Sequence, residues 1–281
     1  MQYKAKKSLG QNFLKSEPAL RKIIEAGEIK KDDVILEIGP GKGKLTKQLL
    51  GSRCKVLAVE KDKELYELLK EKFAKEIENH SLVLIHDDIL DFRVESYKVK
   101  SYKVIANIPY NITGAILKKF LTAEHQPTSM VLMVQNEVAK RIIGSPRHGG
   151  AGTKESILSI SVKAYGEPKM IMKVPSRYFS PAPKVDSAVI AIKNISRRFF
   201  TENGINPVKG REGSQRASTS NGINEEKFWE IVRMGFAHKR KKLSGNLKAL
   251  KLGNFASKED LIGDKRAENL TLADWIILVK G

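Results

Sequence analysis

The sequence of 281 residues contains a single cysteine, Cys54, and therefore allows neither a disulfide within the chain nor a cysteine-based zinc cluster. It has no run of about 18 apolar residues, so we expect no transmembrane helix. The first seven residues also lack an apolar signal segment, which predicts a cytoplasmic protein. The five histidines show no clustered ligand spacing, and no metal site is predicted.

Acidic residues are scarce relative to basic ones, with 32 Asp and Glu against 51 Lys and Arg, a net charge of +19. An excess of this size favours a polyanionic partner, because basic side chains release counterions from phosphates when they bind nucleic acid. An anionic membrane surface or a generally basic proteome would also account for it. The charge alone is therefore consistent with nucleic-acid binding without identifying it.

Strand-like and helix-like segments alternate through roughly the first 190 residues. This alternation predicts an α/β fold with a mostly parallel, doubly wound sheet covered by helices on both faces. The predicted strands are Val34–Ile38, Lys55–Val59, Leu82–Ile85, Val104–Ile108, Met130–Val134, Lys169–Val174 and Ala188–Ile192. The predicted helices between them are Leu45–Leu50, Lys63–Ile77, Ala115–Leu121 and Glu155–Ala164.

Composition divides the chain into three regions. Residues 1–195 carry the α/β pattern, residues 196–222 are rich in glycine and serine and read as a flexible linker or insertion, and residues 223–281 form a small helical domain. The helices predicted in the last region are Glu225–Met234, Lys239–Leu250, Lys258–Leu261 and Thr271–Val279.

A glycine-rich loop, Glu37–Gly43, follows the first predicted strand. Its glycines allow a tight turn and a close approach of the backbone to a ligand. Three residues rather than four separate the outer glycines, and Leu45 stands where a P-loop has Ser or Thr, so the loop is not a P-loop. The dinucleotide fingerprint G-x-G-x-x-G does not fit either, but Glu60 ends the second strand, where an acidic residue would bind ribose hydroxyls. The pattern E-x-G-x-G-x-G resembles the S-adenosylmethionine loop of class I methyltransferases.

Asp88 closes the third predicted strand. A carboxylate at this position would accept a hydrogen bond from an adenine amine. Asp is also favoured at helix N-caps and in solvated turns, and the neighbouring Asp87 competes for the same role. Spacing alone leaves these interpretations open.

The tetrapeptide Asn107-Ile108-Pro109-Tyr110 ends the fourth predicted strand with groups that suit a planar heterocycle. An exocyclic amine is a poor nucleophile because its lone pair is delocalised into the ring. The Asn107 side-chain oxygen and a carbonyl at Ile108 or Pro109 would accept both amine hydrogens, and Tyr110 would stack on a base that has left its helix. The competing interpretation is a turn with a packed tyrosine.

A second aromatic candidate is Phe179, in the loop Tyr178–Ser187. The loop's prolines would stiffen it and hold Phe179 against the other face of the base. Phenylalanine is, however, more often a core residue than a stacking surface.

Eight segments occur in a fixed order along the chain: Gly10–Leu14, Glu37–Gly43, Glu60, Asp88–Leu90, Asn107–Tyr110, Val134–Arg141, Phe179–Ser187 and Phe236–Leu243. Together they closely resemble the ribosomal RNA adenine-N6,N6-dimethyltransferase family. The resemblance implies a class I methyltransferase domain over residues 1–195, with S-adenosyl-L-methionine as cofactor, and an rRNA-binding domain over residues 223–281.

The resemblance also implies a set of site residues. Those expected to contact the cofactor are Gln11, Asn12, Leu14, Glu37, Gly39, Gly41, Glu60, Lys61, Asp88, Ile89 and Asn107. Those expected to hold the target adenine are Asn107, Ile108, Pro109, Tyr110 and Phe179. Those expected to bind RNA phosphates are Lys239, Arg240, Lys241 and Lys242, which would otherwise be a solvated helix face.

The family's small-subunit branch dimethylates two adjacent adenosines near the 3′ end of that rRNA and acts as a checkpoint in ribosome assembly. The implied partner is therefore the immature small ribosomal subunit, bound by a monomer without a membrane partner. One alternative is the branch that methylates large-subunit rRNA and confers macrolide resistance, but Gly10 and Pro40 look more like the small-subunit branch. A noncatalytic RNA-binding assembly factor is the other alternative, and the intact Glu37–Gly43 and Asn107–Tyr110 disfavour it.

Overall fold

The computed structural model describes residues 3–144, 154–201, 222–248 and 264–280. The strands in these ranges are β1 Phe13–Leu14, β2 Val34–Ile38, β3 Lys55–Glu60, β4 Leu82–His86, β5 Lys103–Asn107, β6 Ser129–Gln135, β7 Glu167–Val174, β8 Phe179–Ser180 and β9 Ser187–Lys193. The α-helices are α1 Glu17–Gly27, α2 Lys44–Gly51, α3 Lys63–Lys72, α4 Ala74–Glu78, α5 Thr113–Leu121, α6 Asn136–Ile143, α7 Ile157–Lys163, α8 Arg198–Thr201, α9 Glu225–Gly235, α10 Leu243–Leu247 and α11 Leu272–Lys280.

The apolar runs form a seven-stranded sheet with the order β4-β3-β2-β5-β6-β9-β7. The strands β2 to β6 pair in parallel, and β9 pairs antiparallel with both β6 and β7. Consecutive residues of β6 are buried, as expected for a strand covered on both faces. The prediction of an α/β, mostly parallel seven-stranded sheet is confirmed, and the carboxyl ends of β2, β3, β4 and β5 lie at one edge.

Helix α1 was not among the predicted helices. Ser16 accepts a hydrogen bond from the N–H of Ala19 at 3.3 Å, and a proline stands in the first turn, which together start the helix. Its buried side chains include Leu20 and Ile23, which belong to the core beneath the sheet. At the end of α1, a β-carbon on Gly27 would lie only 2.6 Å from the side chain of Ile105, so glycine allows close packing on β5.

The predicted helix Lys63–Ile77 is divided into α3 and α4 at Phe73. Asp62 caps α3 by accepting the N–H groups of Glu64 and Leu65. Phe73 leaves the helical conformation, with φ −114°, and its ring is buried against Gly43, where an added β-carbon would lie 2.5 Å from the ring. The break therefore brings an aromatic ring under the glycine loop.

The described residues fall into two compact units, one within Met1–Lys140 and Glu167–Ile195, the other within Arg141–Gly166 and Ser196–Gly281. Residues 141–144 and 154–166 were predicted to belong to the region 1–195, whereas the structure groups them with the second unit. Most of the predicted linker, residues 202–221, and the predicted helix Lys258–Leu261 lie outside the described residues. No helix in the described ranges combines the length and apolarity that crossing a membrane requires.

In the second unit, the predicted helix Lys239–Leu250 is wrong at its start, because Lys239–Lys242 form a turn and α10 begins at Leu243. The side-chain amide of Asn246 donates to the carbonyls of Gly235, at 2.6 Å, and His238, at 3.2 Å. These bonds satisfy carbonyls at the end of α9, where the chain leaves the helix. The basic residues are therefore presented on a turn.

Candidate active site

A cavity of about 480 Å³ lies at the carboxyl edge of the parallel strands, within the first unit. Its size is typical of a site for a small molecule. The N-terminal segment, the glycine loop and the ends of β3, β4 and β5 form its walls, contributing residues 8–15, 37–42, 59–61, 87–90 and 107–112. All eleven residues predicted to contact the cofactor line this cavity, together with Ile108, Pro109 and Tyr110.

The glycine loop is held by backbone and carboxylate hydrogen bonds. The N–H of Gly39 donates to the carbonyl of Val59 at 2.9 Å, and the N–H of Gly41 donates to Glu60 Oε2 at 3.0 Å. Gly39 and Gly41 have φ values of +63° and +61°, which favour glycine. Among the described residues, no atom beyond its chain neighbours lies within 4 Å of the position that a β-carbon on Gly39 would take, so the loop leaves a space for a ligand.

Glu60 is buried at the end of β3, and burial raises the pKa of its carboxyl. Its Oε1 accepts the N–H of Asp62 at 2.9 Å, while Oε2 accepts that of Gly41. Each carboxylate oxygen still has a second lone pair for a further donor. Glu60 thus both fixes the loop and retains the capacity to bind hydroxyl groups in the cavity.

Glu37, at the end of β2, is also buried, and burial raises the pKa of its carboxyl to about 8. Its Oε2 has no hydrogen-bond partner among the described residues. A buried polar atom without a partner is uncommon and costs stability. The neighbouring Thr46 hydroxyl, which is also buried without a partner in the described part of the chain, opposes the effect of burial by lowering the pKa of Glu37 and is one candidate donor for this oxygen. Because Glu37 lines the cavity, a donor on a bound ligand is the other candidate, and the residues fit a polar cofactor.

Asp88 follows β4 and adopts one of the arrangements left open by the sequence, a local turn, together with an ion pair. Its Oδ1 accepts the N–H of Leu90 at 3.0 Å, which is a local turn, and its Oδ2 forms an ion pair with Lys61 Nζ at 2.5 Å. The Lys61 ammonium holds the pKa of Asp88 below its usual range. Asp87 accepts the N–H of Asp88 at 2.7 Å. Both carboxylates line the cavity.

Hydrogen bonds to Asp62, a residue that was not among the predicted site residues, hold the N-terminal segment beside the cavity. Asp62 accepts hydrogen bonds from Tyr3 at 2.8 Å, Lys6 at 3.0 Å and Gln11 at 3.2 Å. Burial opposes ionisation of Asp62, but these bonds outweigh it and hold its pKa below the usual range. The Tyr3 oxygen also lies 2.6 Å from Gln11 Oε1, so Gln11 and Asp62 share the single hydrogen of this hydroxyl. The position of Gln11 at the cavity wall is thus fixed by hydrogen bonds to Tyr3 and Asp62. The position of Asp62 at the N-cap of α3, two residues after Glu60, is the sequence signal that would have found it.

The hydrogen bond donated by its side-chain nitrogen fixes the orientation of the Asn107 amide. Nδ2 donates to the carbonyl of Asn12 at 3.2 Å, and no donor in the described part of the chain is bonded to Oδ1. The carbonyl of Pro109 accepts the N–H of Ile112 at 3.3 Å. Of the two predicted backbone acceptors, the carbonyl of Ile108 is therefore the better candidate for a ligand amine.

Tyr110 is half-buried, and its hydroxyl shares a hydrogen bond of 2.5 Å with the hydroxyl of Ser187, which is buried on β9. Burial raises the pKa of the Tyr110 hydroxyl. Ser187 ends the segment Phe179–Ser187, but its sequence position predicted no role for it. This contact fixes the ring at the end of the tetrapeptide.

Phe179 does not lie at the cavity wall. Its side chain is 2% exposed and packs in the core with residues such as Leu14 and Val189. The pairing of β8 with β1, which sets Phe179 opposite Leu14, turns the ring inward. Its neighbour Ser180 lines the cavity instead.

Lys239, Arg240, Lys241 and Lys242 are exposed in the second unit. Lys242 pairs with Asp264 at 2.5 Å, an interaction that water screens. The turn is thus a cationic surface on the second unit.

Comparison with known proteins gives consistent matches. Residues 2–206 match the family model described as ribosomal RNA adenine dimethylase. The chain is 38% identical over 97% of its length to the ribosomal RNA small subunit methyltransferase A of Dehalococcoides mccartyi strain CBDB1, and covers 86% of that protein. It is 35% identical over its whole length to the protein of the same name from Fusobacterium nucleatum, and covers 98% of it.

Solved structures with a similar fold include a dimethyladenosine transferase from Plasmodium falciparum, with a TM-score of 0.72 at 25% identity and 95% coverage of both chains. The 23S rRNA methyltransferase ErmE has a TM-score of 0.69 at 23% identity, covering 96% of this chain and 98% of its own, which shows the fold alone.

Proposed function

The chain belongs to the ribosomal RNA adenine dimethylase family, and we propose that it transfers methyl groups to the N6 amines of two adjacent adenosines near the 3′ end of small-subunit rRNA. The observation that carries this proposal is the position of Asn107, whose Oδ1 has no donor among the described residues and which lines the same cavity as the glycine loop and Glu60. An acceptor for an amine thus adjoins a site suited to a nucleoside.

The cofactor of the proposed reaction is S-adenosyl-L-methionine, which supplies an electrophilic methyl group on its sulfonium. Glu60 would accept hydrogen bonds from the ribose hydroxyls, and Asp88 would accept one from the adenine amine. The Gly39–Gly41 backbone would lie against the methionine part, and the Glu37 carboxyl would form a hydrogen bond with a polar group of that part. Ile89 is buried at the cavity wall and supplies an apolar surface.

The target adenine would be held at the end of β5. Asn107 Oδ1 and the carbonyl of Ile108 would accept the two amine hydrogens, which draws the nitrogen lone pair out of the ring and directs it at the methyl group. Tyr110, fixed by Ser187, would stack on the base. Positioning and preorganised dipoles account for the acceleration, so no strong base is required. Phe179 would stack only after leaving its buried position, and Tyr110 is therefore the aromatic contact in this proposal.

The basic turn Lys239–Lys242 would bind rRNA phosphates. Alanine at all four positions is expected to weaken RNA binding regardless of sequence and to flatten its dependence on salt, because fewer counterions are released. An unchanged affinity at low salt would contradict this assignment.

Two features favour the small-subunit substrate. Relatives at 35–38% identity across nearly the whole chain are small-subunit enzymes, and Gly10 and Pro40 match that branch by resemblance. We further propose that the protein acts as a monomer in the cytoplasm on the immature small ribosomal subunit, with a role in its assembly. The intact site residues disfavour a purely structural assembly factor.

The decisive experiment incubates the protein with labelled S-adenosylmethionine and unmethylated small-subunit or large-subunit rRNA, followed by mapping of the modified nucleosides. Paired dimethyladenosines in small-subunit rRNA are expected. Label only in large-subunit rRNA would move the protein to the other branch, and no label in either would indicate a noncatalytic factor.

The role of Asn107 is tested by Asn107→Ala, which should lose at least about 100-fold in rate, as expected when an oriented acceptor is removed. Asn79→Ala makes the same chemical change just before β4, at the amino edge of the sheet, and should keep native activity. Full activity of Asn107→Ala would refute the amine-binding role.

A further inference from the structure

Tyr178 is an exposed aromatic residue beside the cavity that the methyl-transfer site does not use. Its side chain is 37% exposed at the end of a short turn, Ser176–Tyr178. The Arg177 guanidinium lies over its ring, 5.2 Å from the centroid. No aromatic ring and no other cation in the described part of the chain stacks on it.

The turn is held through its backbone, which leaves the Tyr178 side chain available. The N–H of Tyr178 donates to the carbonyl of Pro175 at 3.1 Å, and its carbonyl accepts the N–H of Lys15 at 2.7 Å. The Asp186 carboxylate accepts the N–H of Ser176 at 3.0 Å. The ring is therefore presented from a fixed turn rather than from a free loop.

Tyr178 stands next to the proposed substrate site. The two residues that follow it form β8, which pairs with β1, and Ser180 of β8 lines the cavity. Two residues of extended chain span about 7 Å, which is the backbone distance from Tyr178 to this cavity-lining serine. Lys15, whose backbone N–H bonds to Tyr178, has an exposed side chain, as does Lys184 in the loop Tyr178–Ser187.

An aromatic ring with an arginine on one face, among lysines, suits a nucleic-acid base better than an apolar protein partner. We propose that Tyr178, supported by Arg177, stacks on a single-stranded rRNA nucleotide that flanks the target adenine. This inference rests on the proposed function. It assigns the recognition of flanking RNA to a residue outside the tetrapeptide.

The test measures binding and methylation of an unmethylated small-subunit rRNA hairpin that carries 2-aminopurine at a nucleotide flanking the target. Stacking of one base implies that Tyr178→Ala binds this RNA roughly 5- to 100-fold more weakly and raises KM, with an unchanged Kd for S-adenosylmethionine. Tyr178→Phe keeps the ring and should bind as the native protein does. The quenching of 2-aminopurine on binding should persist in Tyr178→Phe and be lost in Tyr178→Ala.

Tyr97→Ala is the matched control, because Tyr97 is also exposed, at 40%, but ends the turn Val94–Tyr97, which precedes β5, whereas Tyr178 directly precedes β8, whose Ser180 lines the cavity. Native affinity of Tyr178→Ala, or equal losses in Tyr178→Ala and Tyr97→Ala, would overturn the inference, as would a loss in Tyr178→Phe. Failure of the native protein to methylate small-subunit rRNA would instead contradict the proposed function itself.

Discussion

Replacement of Glu37 by glutamine is predicted to change the pH dependence of stability in a defined direction. Glutamine keeps the shape of the buried side chain but removes its titration. In the native protein, burial raises the pKa of Glu37 to about 8 from an ordinary value of 4.5. The folded state thus holds a proton that the unfolded chain releases between these two pH values.

The size of the effect follows from this difference. Because the folded state binds the proton more tightly, Glu37 contributes to the free energy of unfolding. This contribution is fully present below pH 4.5 and is lost as pH rises through about 8. One pKa unit corresponds to about 1.4 kcal/mol, so the complete loss approaches about 5 kcal/mol. Between pH 6 and pH 8.5 the free energy of unfolding of the native protein should fall by about 2 to 3 kcal/mol through the titration of Glu37 alone.

Urea denaturation of the native protein and Glu37→Gln, followed by circular dichroism at several pH values between 6 and 8.5, measures this loss. The difference in the free energy of unfolding between the two proteins should shift in favour of Glu37→Gln as pH rises. Hydrogen exchange of peptides from β2 and β3 should locate the change in the first unit. Parallel pH profiles for the two proteins would refute the assignment of a protonated, buried Glu37.

Two further substitutions test packing around the site and in the second unit. Tyr110→Phe removes the hydroxyl bonded to Ser187 and should lower the free energy of unfolding by about 1 to 3 kcal/mol. The double variant with Ser187→Ala should recover most of this loss, because neither hydroxyl is then left without its partner. A double-mutant cycle by denaturation measures the recovery, and additive losses would contradict it. Gly235→Ala would place a β-carbon 2.4 Å from the Trp275 ring and should destabilise the second unit by about 1 to 3 kcal/mol, measured by thermal unfolding. Gly245→Ala, whose β-carbon would meet no atom of the described residues within 4 Å, should be neutral or stabilising in that assay.

The sequence was most informative where a motif is continuous along the chain. The strands β2 to β6 were predicted closely because buried strands in parallel sheets are near-continuous apolar runs. The cofactor residues converge on one cavity because most of them lie at or just after the carboxyl ends of β2, β3, β4 and β5, which the parallel arrangement brings to a single edge.

Local pattern was insufficient where a distant contact decides the conformation. The turn at Lys239–Lys242 reads as helical in sequence, yet Asn246 satisfies the carbonyls that end α9 and the chain turns. The break at Phe73 likewise depends on the space beneath Gly43.

By itself, the sequence determined the fold class, the glycine loop with Glu60, and the tetrapeptide Asn107–Tyr110, because neighbouring residues on a strand end carry these features. Only the tertiary structure decided which acceptors remain available: Asn12 orients the Asn107 amide, and Asp62 holds the N-terminal segment. It also placed Phe179 in the core, because the pairing of β8 with β1 sets the direction of its side chain. These outcomes depend on hydrogen bonds between residues far apart in the chain, which no local pattern specifies.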